Sequence, residues 1–266
     1  MYDLIIIGAG ISGLYIGNNI ETQNFIVLEQ KKRAGGRIKT FKNDSFMYET
    51  GAYRFSGHHT KFISLLKKLK LEKHITQMNS NKDFFLIKNQ SKNIHDTDKV
   101  LDYEQIFYRL TLLTKKELSS NTIFSLIEKY YDRETAIMVN DYSGYDDFIK
   151  SSGINIINYY KLHKSHFYNL DCGYSKIIDL LLENINQKVK IGETLLDIKK
   201  NKNFFVVTTN KTNYMTKKII FTIPKENLLK IEFINSNVNY LNSVSSGDYL
   251  RVFAQYPKKK WKSLVS

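Results

Sequence analysis

Short apolar runs open the chain. Residues 2–7 form a nearly continuous apolar run that ends at a glycine, which predicts a strand buried on both faces of a parallel sheet. Residues 12–20 then predict a helix. Residues 25–28, which end at Glu29, predict a second buried strand. Together these segments predict a strand–helix–strand unit of the usual βαβ size.

The middle of the chain carries apolar residues at helical spacing, with lysines between them. This pattern predicts an insertion of mainly helical character, interrupted by a strand at 84–87. The predicted helices are residues 60–71, 104–113, 123–131 and 134–139.

Strand patterns return after residue 173. An amphipathic helix is predicted at 175–184. The predicted strands that follow it are residues 188–191, 195–199, 204–208, 218–223 (halted by Pro224) and 250–256. The order of elements predicts an α/β fold that begins with a Rossmann-like βαβ unit.

A glycine motif lies between the first predicted strand and helix. Residues 8–13 read G-A-G-I-S-G and fit G-x-G-x-x-G in its required context. Gly8 permits a tight turn, Gly10 lets the backbone approach a pyrophosphate, and Gly13 allows close packing of helix on strand. The free N–H groups of the helix N-terminus favour phosphate binding, and the Ser12 hydroxyl adds a donor.

Glu29 ends the second strand about 20 residues after the motif, the usual place of the ribose-binding acid. A carboxylate there accepts hydrogen bonds from both ribose hydroxyls. It also repels a 2′-phosphate, which disfavours NADP.

The residues after Glu29 carry a longer match. Residues 29–37 read E-Q-K-K-R-A-G-G-R, and this resembles the extended fingerprint of flavin amine oxidases, in which the ribose acid is followed by a Gly-Gly-Arg turn. The resemblance implies FAD, with Gly35 and Gly36 close to it and Arg37 supplying charge near the pyrophosphate.

Three later stretches resemble the same family. Residues 49–55 resemble the segment along the flavin, residues 171–174 resemble a Gly-Gly turn, and residues 190–198 with 218–224 resemble the strands that complete the FAD domain. Cys172 does not match the position where some members attach flavin, which implies noncovalent binding. The cofactor-binding residues implied are Gly8, Ala9, Gly10, Ser12, Gly13, Glu29, Gln30, Gly36, Arg37, Gly51, Ala52, Tyr53, Arg54 and Leu195.

The last match concerns catalysis. Residues 250–256 with Trp261 resemble the family strand that carries a lysine shortly before a tryptophan, and that lysine holds a water near the flavin. Arg251 stands in its place. It keeps the charge but cannot act as a neutral base, and could anchor a water or an acidic substrate group. Arg251 is therefore the candidate catalytic residue.

The resemblance implies a discontinuous FAD-binding domain at residues 1–59 and 170–224. Residues 60–169 and 225–266 would form the helical and substrate-binding region, with a substrate sheet that is incomplete relative to the family. We expect a C-terminal truncation, so that the chain alone has little or no amine oxidase activity and a second chain could complete the fold.

Three functions stay open. The first is an FAD-dependent amine oxidase that acts on a small-molecule amine, with O₂ as acceptor and H₂O₂ as product. The second is another flavin oxidoreductase of the superfamily, of the desaturase or porphyrinogen oxidase type. The third is a noncatalytic FAD-binding protein.

Composition and charge indicate the class of protein, its compartment and the partners to expect. Hydrophobic residues make up 42% and charged residues 25%, as in globular proteins, and no stretch reaches the roughly 18 apolar residues of a membrane span. The single cysteine, Cys172, indicates a reducing compartment, so a cytoplasmic location is expected. The histidines have the pattern of surface residues, and no metal site is predicted. The +14 charge is scattered apart from residues 31–42 and 258–262, so no specific nucleic-acid binding is expected.

Overall fold

A computed structural model of the protein describes residues 1–78, 84–87, 90–93, 103–143, 147–162, 166–235, 241–244, 246 and 251–253. Its strands are, in chain order, β1 (Tyr2–Ile7), β2 (Phe25–Glu29), β3 (Thr40–Lys42), β4 (Met47–Glu49), β5 (Phe55–Ser56), β6 (Ile75–Gln77), β7 (Phe84–Ile87), β8 (Gln90–Asn93), β9 (Phe167–Leu170), β10 (Val189–Ile191), β11 (Leu195–Lys200), β12 (Phe205–Thr209) and β13 (Asn213–Phe221). Its α-helices are α1 (Ile11–Asn19), α2 (Thr60–Lys68), α3 (Tyr103–Leu110), α4 (Lys115–Ser120), α5 (Ile123–Tyr130), α6 (Arg133–Ser143), α7 (Asp147–Lys150), α8 (Gly153–Leu162), α9 (Ser175–Glu183), α10 (Lys225–Leu228) and α11 (Glu232–Asn235). Short 3₁₀ helices span Glu72–His74 and Asn186–Lys188.

A six-stranded sheet has the order β10-β2-β1-β13-β12-β11. The first four strands in this order pair in parallel. The two at the other edge pair antiparallel. The prediction of a mixed α/β fold with a parallel-strand sheet is confirmed.

The central strands are covered on both faces, as their apolar runs predict. Leu4, Ile6 and Val27 lie in one buried cluster with residues of α1 and α9. Ile5 and Ile7 lie in a second cluster on the other face. Successive side chains of a strand point to opposite faces, so a strand with buried residues on both sides needs the uninterrupted apolar sequence observed here.

Some boundaries differ from the predicted ones for local reasons. The α2 helix ends at Lys68 and does not reach residue 71, because Lys70 has a left-handed φ of 57°. The N–H of Leu71 then donates to the carbonyl of Leu66 at 2.9 Å and closes the helix end. Of the predicted strand at 250–256, the described residues 251–253 form no strand; residue 250 and residues 254–256 lie outside the described part.

Two small sheets have strands that the periodicity of the sequence does not predict. β3 and β4 form a hairpin. β5, β9 and β6 form a three-stranded antiparallel sheet whose strands come from distant parts of the chain. These strands have two to four residues each, which is too short to show a period.

The chain divides into two compact units. One comprises Met1–Gln77 and Phe167–Val244 and contains both faces of the six-stranded sheet; the other comprises the described residues of Met78–His166 and Ser245–Ser266. The second unit has its own apolar core, which includes Phe107, Leu126 and Ile157. The domain bounds proposed from the sequence stay a prediction. None of the helices in the described part combines the length and apolarity needed to cross a bilayer.

Candidate functional site

The glycine motif forms the connection between β1 and α1. Gly8 has a φ of 105°, and its N–H donates to the carbonyl of Leu28 at 2.8 Å. A Cβ on Gly13 would lie 2.0 Å from the carbonyl oxygen of Gly8, so only glycine allows the helix this close to the turn. The α1 helix begins without a side-chain cap at Gly10, which leaves its first N–H groups to bind a ligand.

Gly10 differs from its neighbours in the motif. A Cβ added there would meet no protein atom within 4 Å, so the missing side chain leaves open space beside the start of α1. Ser12, in the first turn, is exposed at the same helix end. The arrangement is an open backbone surface with N–H groups, suited to an anion that approaches closely.

The second glycine turn packs directly against the first. Gly10 and Gly35 form an isolated parallel bridge, in which the N–H of Gly35 donates to the carbonyl of Ala9 at 2.8 Å. A Cβ on Gly36 would lie 3.3 Å from the Cα of Gly10. Both Gly35 and Gly36 have positive φ, 104° and 56°, which explains the glycine pair in physical terms.

Arg33 holds this second turn in shape, a role that the sequence did not reveal. Its guanidinium donates to three backbone carbonyls, those of Ala34 at 2.9 Å, Ile38 at 3.2 Å and Gly36 at 2.9 Å. The side chain of Arg37, in contrast, is exposed, and neither a hydrogen bond nor an ion pair engages it within the described residues. One arginine is therefore structural and the other is available to a ligand.

Glu29 is buried at the end of β2, with 7% of its surface exposed. Its Oε2 accepts from the N–H of Ala9 at 3.0 Å, and its Oε1 accepts from the N–H of Lys31 at 2.8 Å. A carboxylate offers about four acceptor sites, so further hydrogen bonds can still form. Glu29 thus anchors the glycine turn and keeps acceptor capacity.

A second buried carboxylate, Glu193, lies beside this point and was missed in the sequence. The N–H of Glu193 donates to the carbonyl of Glu29 at 2.8 Å, and its Oε1 accepts from the hydroxyl of Thr209 at 2.9 Å. Burial, followed by the hydrogen bond to Glu193, raises the pKa of Tyr214 to about 12. Leu195 comes two positions later, half-buried at the start of β11.

The segment that begins at Glu49 passes along the second glycine turn. A Cβ on Gly51 would lie 1.7 Å from the carbonyl oxygen of Arg37, and the N–H of Ala52 donates to that oxygen at 3.2 Å. The guanidinium of Arg54 lies 5.3 Å from the ring centroid of Tyr53 and 4.4 Å from that of Phe167. The segment is thereby fixed at both ends.

A polar network connects this segment to the start of α9. Both carboxylate oxygens of Glu49 accept from the Thr40 hydroxyl, and one also accepts from the N–H of Tyr174 at 2.9 Å. The N–H of Thr40 donates to the Ser175 hydroxyl at 2.8 Å, and the N–H of Ser175 donates to the Thr40 hydroxyl at 2.9 Å. Burial, and then the charge of Glu49, raise the pKa of Tyr174 well above its usual range.

The structure brings most of the predicted residues together, though not all. The hydrogen bonds above join residues 8–13, residues 35–36 and Glu29, and Gly51 and Ala52 contact the backbone of Arg37 in the same region. The predicted catalytic residue Arg251 belongs to the other compact unit, where its guanidinium lies 5.9 Å from the ring of Phe253. Trp261 lies outside the described residues.

Comparison with known proteins shows which fold and which family the chain resembles. Residues 11–119 match the model of the flavin-containing amine oxidoreductases. The L-amino-acid oxidase of Trimeresurus stejnegeri is 24% identical over 242 residues, which cover 77% of this chain and 46% of that protein. The chain is thus similar to the flavin-containing amine oxidoreductases, most directly over residues 11–119. Likeness to this family supports a flavin cofactor.

Two further proteins resemble the chain, one in a segment of sequence and one in fold. Protoporphyrinogen oxidase 1 of Spinacia oleracea is 42% identical over 59 residues, 20% of this chain and 10% of that protein. A wild-type putrescine oxidase with bound putrescine superposes with a TM-score of 0.68 at 16% identity, covering 87% of this chain and 60% of that one. This second likeness is one of fold. The chain thus spans about half the length of the relatives that it matches most fully.

Two glycines of the motif are expected to respond differently to the same substitution. Gly13→Ala should lower the free energy of unfolding of the cofactor-free protein by about 1–3 kcal/mol, because the new methyl group overlaps the backbone of Gly8. Gly10→Ala should lower it by about 1 kcal/mol or less, because the methyl group enters open space. Urea denaturation of both variants checks the order, and a more stable Gly13→Ala would contradict the packing described here.

Proposed function

We propose that the chain binds FAD noncovalently through the two glycine turns and the end of β2. The observation that carries this proposal is the open space beside Gly10, bounded by the uncapped start of α1 and by the turn at Gly35 and Gly36. If this turn served only to pack the core, a side chain at position 10 could have filled the space. The residues present therefore fit a dinucleotide whose pyrophosphate lies against backbone.

The pyrophosphate would interact with donors and positive charge. The first N–H groups of α1 and the Ser12 hydroxyl supply hydrogen bonds, and the helix dipole adds partial positive charge. Arg37 would supply an exposed guanidinium from the neighbouring turn. Its proposed role rests on its exposure and on the absence of an intramolecular partner within the described residues.

The adenosine end would lie at the end of β2. Glu29 would accept hydrogen bonds from the ribose hydroxyls with the acceptor sites that Ala9 and Lys31 leave over. Gln30 follows it and is exposed. Leu195, close in sequence to the backbone contact between Glu193 and Glu29, would flank the adenine.

The segment Gly51, Ala52, Tyr53 and Arg54 would face the flavin end. Its path is held by the close contact of Gly51 with Arg37 and by the rings around Arg54. The proposal assigns residues 1–59 and 170–224 to FAD binding. It assigns residues 60–169 and 225–266 to the substrate side, where Arg251 would orient a water or an acidic group of the substrate.

We infer that the reaction is oxidation of an amine C–N bond. When bound, FAD supplies the oxidant for such a bond and passes the electrons to O₂ to give H₂O₂. The protein residues bind and orient the reactants and exclude water from the site. The amine is proposed as a small molecule, and a second chain could contribute residues to the substrate side.

A second candidate is oxidation of a porphyrinogen. It is favoured by the 42% identity with the Spinacia oleracea enzyme. That match covers 59 residues, or 20% of this chain, so it bears on one segment and not on the whole chain. Amine oxidation is preferred because the family model describes amine oxidoreductases and the match to the Trimeresurus stejnegeri enzyme, an L-amino-acid oxidase, covers 77% of this chain.

The first expected outcome concerns the cofactor. Protein reconstituted with FAD should release all of its flavin on acid precipitation, because no covalent bond holds it. Gly10→Val should abolish binding, since the branched side chain would occupy the space proposed for the pyrophosphate. Gly57→Val, at an exposed turn away from the motif, is the matched control. Equal flavin retention in Gly10→Val and the control would refute the proposed site.

Glu29 should determine both the affinity for FAD and the discrimination against adenine nucleotides that carry a 2′-phosphate. Glu29→Ala should weaken FAD binding by about 1–3 kcal/mol, the range for a hydrogen bond to a charged group. In the native protein ADP should compete with FAD while adenosine 2′,5′-bisphosphate should not, because the carboxylate repels a 2′-phosphate. Fluorescence titration of flavin measures both quantities.

The control for Glu29 is Glu193→Gln, which alters a neighbouring buried carboxylate that is not proposed to touch the ribose. General loss of stability would affect both variants, whereas loss of discrimination between the two adenine nucleotides should occur only in Glu29→Ala. Unchanged affinity and unchanged discrimination in Glu29→Ala would exclude the ribose contact.

The reaction class is tested by a single reduction of the bound flavin, because the sequence predicts little steady-state turnover. Under anaerobic conditions we expect an amine from a panel of monoamines, polyamines and amino acids to bleach the flavin absorbance, with H₂O₂ formed once air is admitted. Bleaching by a porphyrinogen alone would support the second candidate. Bleaching by neither would refute the proposed oxidation and leave the flavin site unaffected.

A further inference from the structure

Three side chains with metal-binding atoms lie together outside the proposed flavin contacts. They are His74, Asp171 and Cys172, and one donor atom of each lies within 4.8 Å of those of the other two. Nδ1 of His74 is 2.7 Å from Oδ1 of Asp171. The sequence did not suggest this group, because His74 is 97 positions from Asp171.

The fold holds the backbones of these residues in place. His74 ends a 3₁₀ helix directly before β6, and Asp171 and Cys172 directly follow β9. These strands pair antiparallel with Ile75 opposite Leu170, and the N–H of Asp171 donates to the carbonyl of His74 at 3.0 Å. The group therefore lies at the end of a ladder and does not depend on a flexible loop to bring it together.

The donor set suits a borderline divalent transition metal. Imidazole nitrogen, carboxylate oxygen and thiolate sulfur are all common zinc ligands, and three protein ligands leave a position for water or another group. Side-chain rotation can bring these donor atoms to the spacing of a tetrahedral site, since Asp171 is exposed and the other two are partly exposed. The atoms of His74 and Asp171, now 2.7 Å apart, would then separate to about 3.3 Å, the distance between two ligands that each lie about 2.0–2.2 Å from one zinc ion. We propose that His74, Asp171 and Cys172 form a Zn²⁺ site.

Two other roles fit these residues less well. A plain His74–Asp171 ion pair is partly exposed to solvent and does not involve the thiol. A role for Cys172 alone, as a reactive thiol, leaves the neighbouring imidazole of His74 and carboxylate of Asp171 unused. Metal ligation uses all three groups.

The site has a structural consequence that is independent of flavin binding. A bound metal would link the end of β9 to the start of β6 and fix the turn at Gly173, whose N–H donates to the carbonyl of Leu170 at 3.1 Å. This turn leads into α9, where Tyr174 and Ser175 join the network of Glu49 and Thr40. Zn²⁺ would therefore stabilise the entry to that helix.

Because Cys172 is the single cysteine of the chain, a thiol reagent reports on the proposed metal site alone. The cofactor-free protein, freed of metal by a chelator, is treated with a chromogenic disulfide reagent in the presence and absence of equimolar Zn²⁺. We expect Zn²⁺ to slow the modification of Cys172 at least tenfold, and Co²⁺ to give a thiolate-to-metal charge-transfer band at one metal per chain. Calorimetry with Zn²⁺ alone should show one site.

Variants separate this site from adventitious binding. His74→Gln and Asp171→Asn should each weaken Zn²⁺ affinity at least tenfold and lower the protection of Cys172, while His166→Gln, which removes an exposed imidazole at the far end of β9, should change neither. Cys172→Ser should remove the charge-transfer band. If wild-type Cys172 is not protected and Co²⁺ gives no such band, the proposal is wrong, and equal effects of His74→Gln and His166→Gln would also overturn it.

Discussion

A buried carboxylate holds together the two ends of the region that we propose binds phosphate. Glu29 lies where β2 ends and accepts N–H groups from Ala9, just beyond β1, and from Lys31, just beyond its own strand. A buried charge without partners is strongly unfavourable, so these two backbone donors are what allow the carboxylate to be there. The same side chain thus shapes the glycine turn and keeps acceptors for a ligand, and any change at this position alters both.

The rest of the site follows the same principle, with backbone groups fixed by polar side chains. Arg33 donates to three backbone carbonyls of the turn that carries Gly35 and Gly36, and no ion pair with a carboxylate of the described residues accompanies these bonds. Thr40 and Ser175 exchange hydrogen bonds between a hairpin and the start of a helix. Such contacts are short-range and directional. None of them uses the exposed side chain of Arg37, which forms no hydrogen bond or ion pair within the described residues.

The sequence predicted those features that depend on neighbouring residues. β1, α1 and β2 were found because a buried strand, a glycine turn and an acid at a strand end each have local patterns. The role of Arg33 could not be found, because its acceptors are carbonyls that only the folded turn assembles. The cluster of His74 and Cys172 likewise depends on the pairing of β6 with β9, which no periodicity indicates.

The assignment of individual cofactor contacts remains a set of predictions, and the reason is also physical. Residues 8–13 and Glu29 lie in one hydrogen-bonded unit, so their spatial grouping follows from the fold. Arg251 was assigned from a strand pattern whose described residues are not in a strand and belong to a different compact unit. Sequence resemblance is a weaker guide where the elements themselves differ.

The position of β1 in the sheet has a consequence for synthesis on the ribosome. One neighbour of β1 in the sheet, β2, comes soon after it in the sequence. The other neighbour, β13, is complete only about 200 residues later, since Thr222, just after β13, is 215 positions from Ile7. At about 5–20 residues per second this interval lasts on the order of 10–40 s. During this time one edge of β1 has unpaired backbone N–H and C=O groups, and its apolar side chains are open to water and to other nascent chains. A chaperone that shields Leu4–Ile7 would therefore be most useful before β13 leaves the exit tunnel.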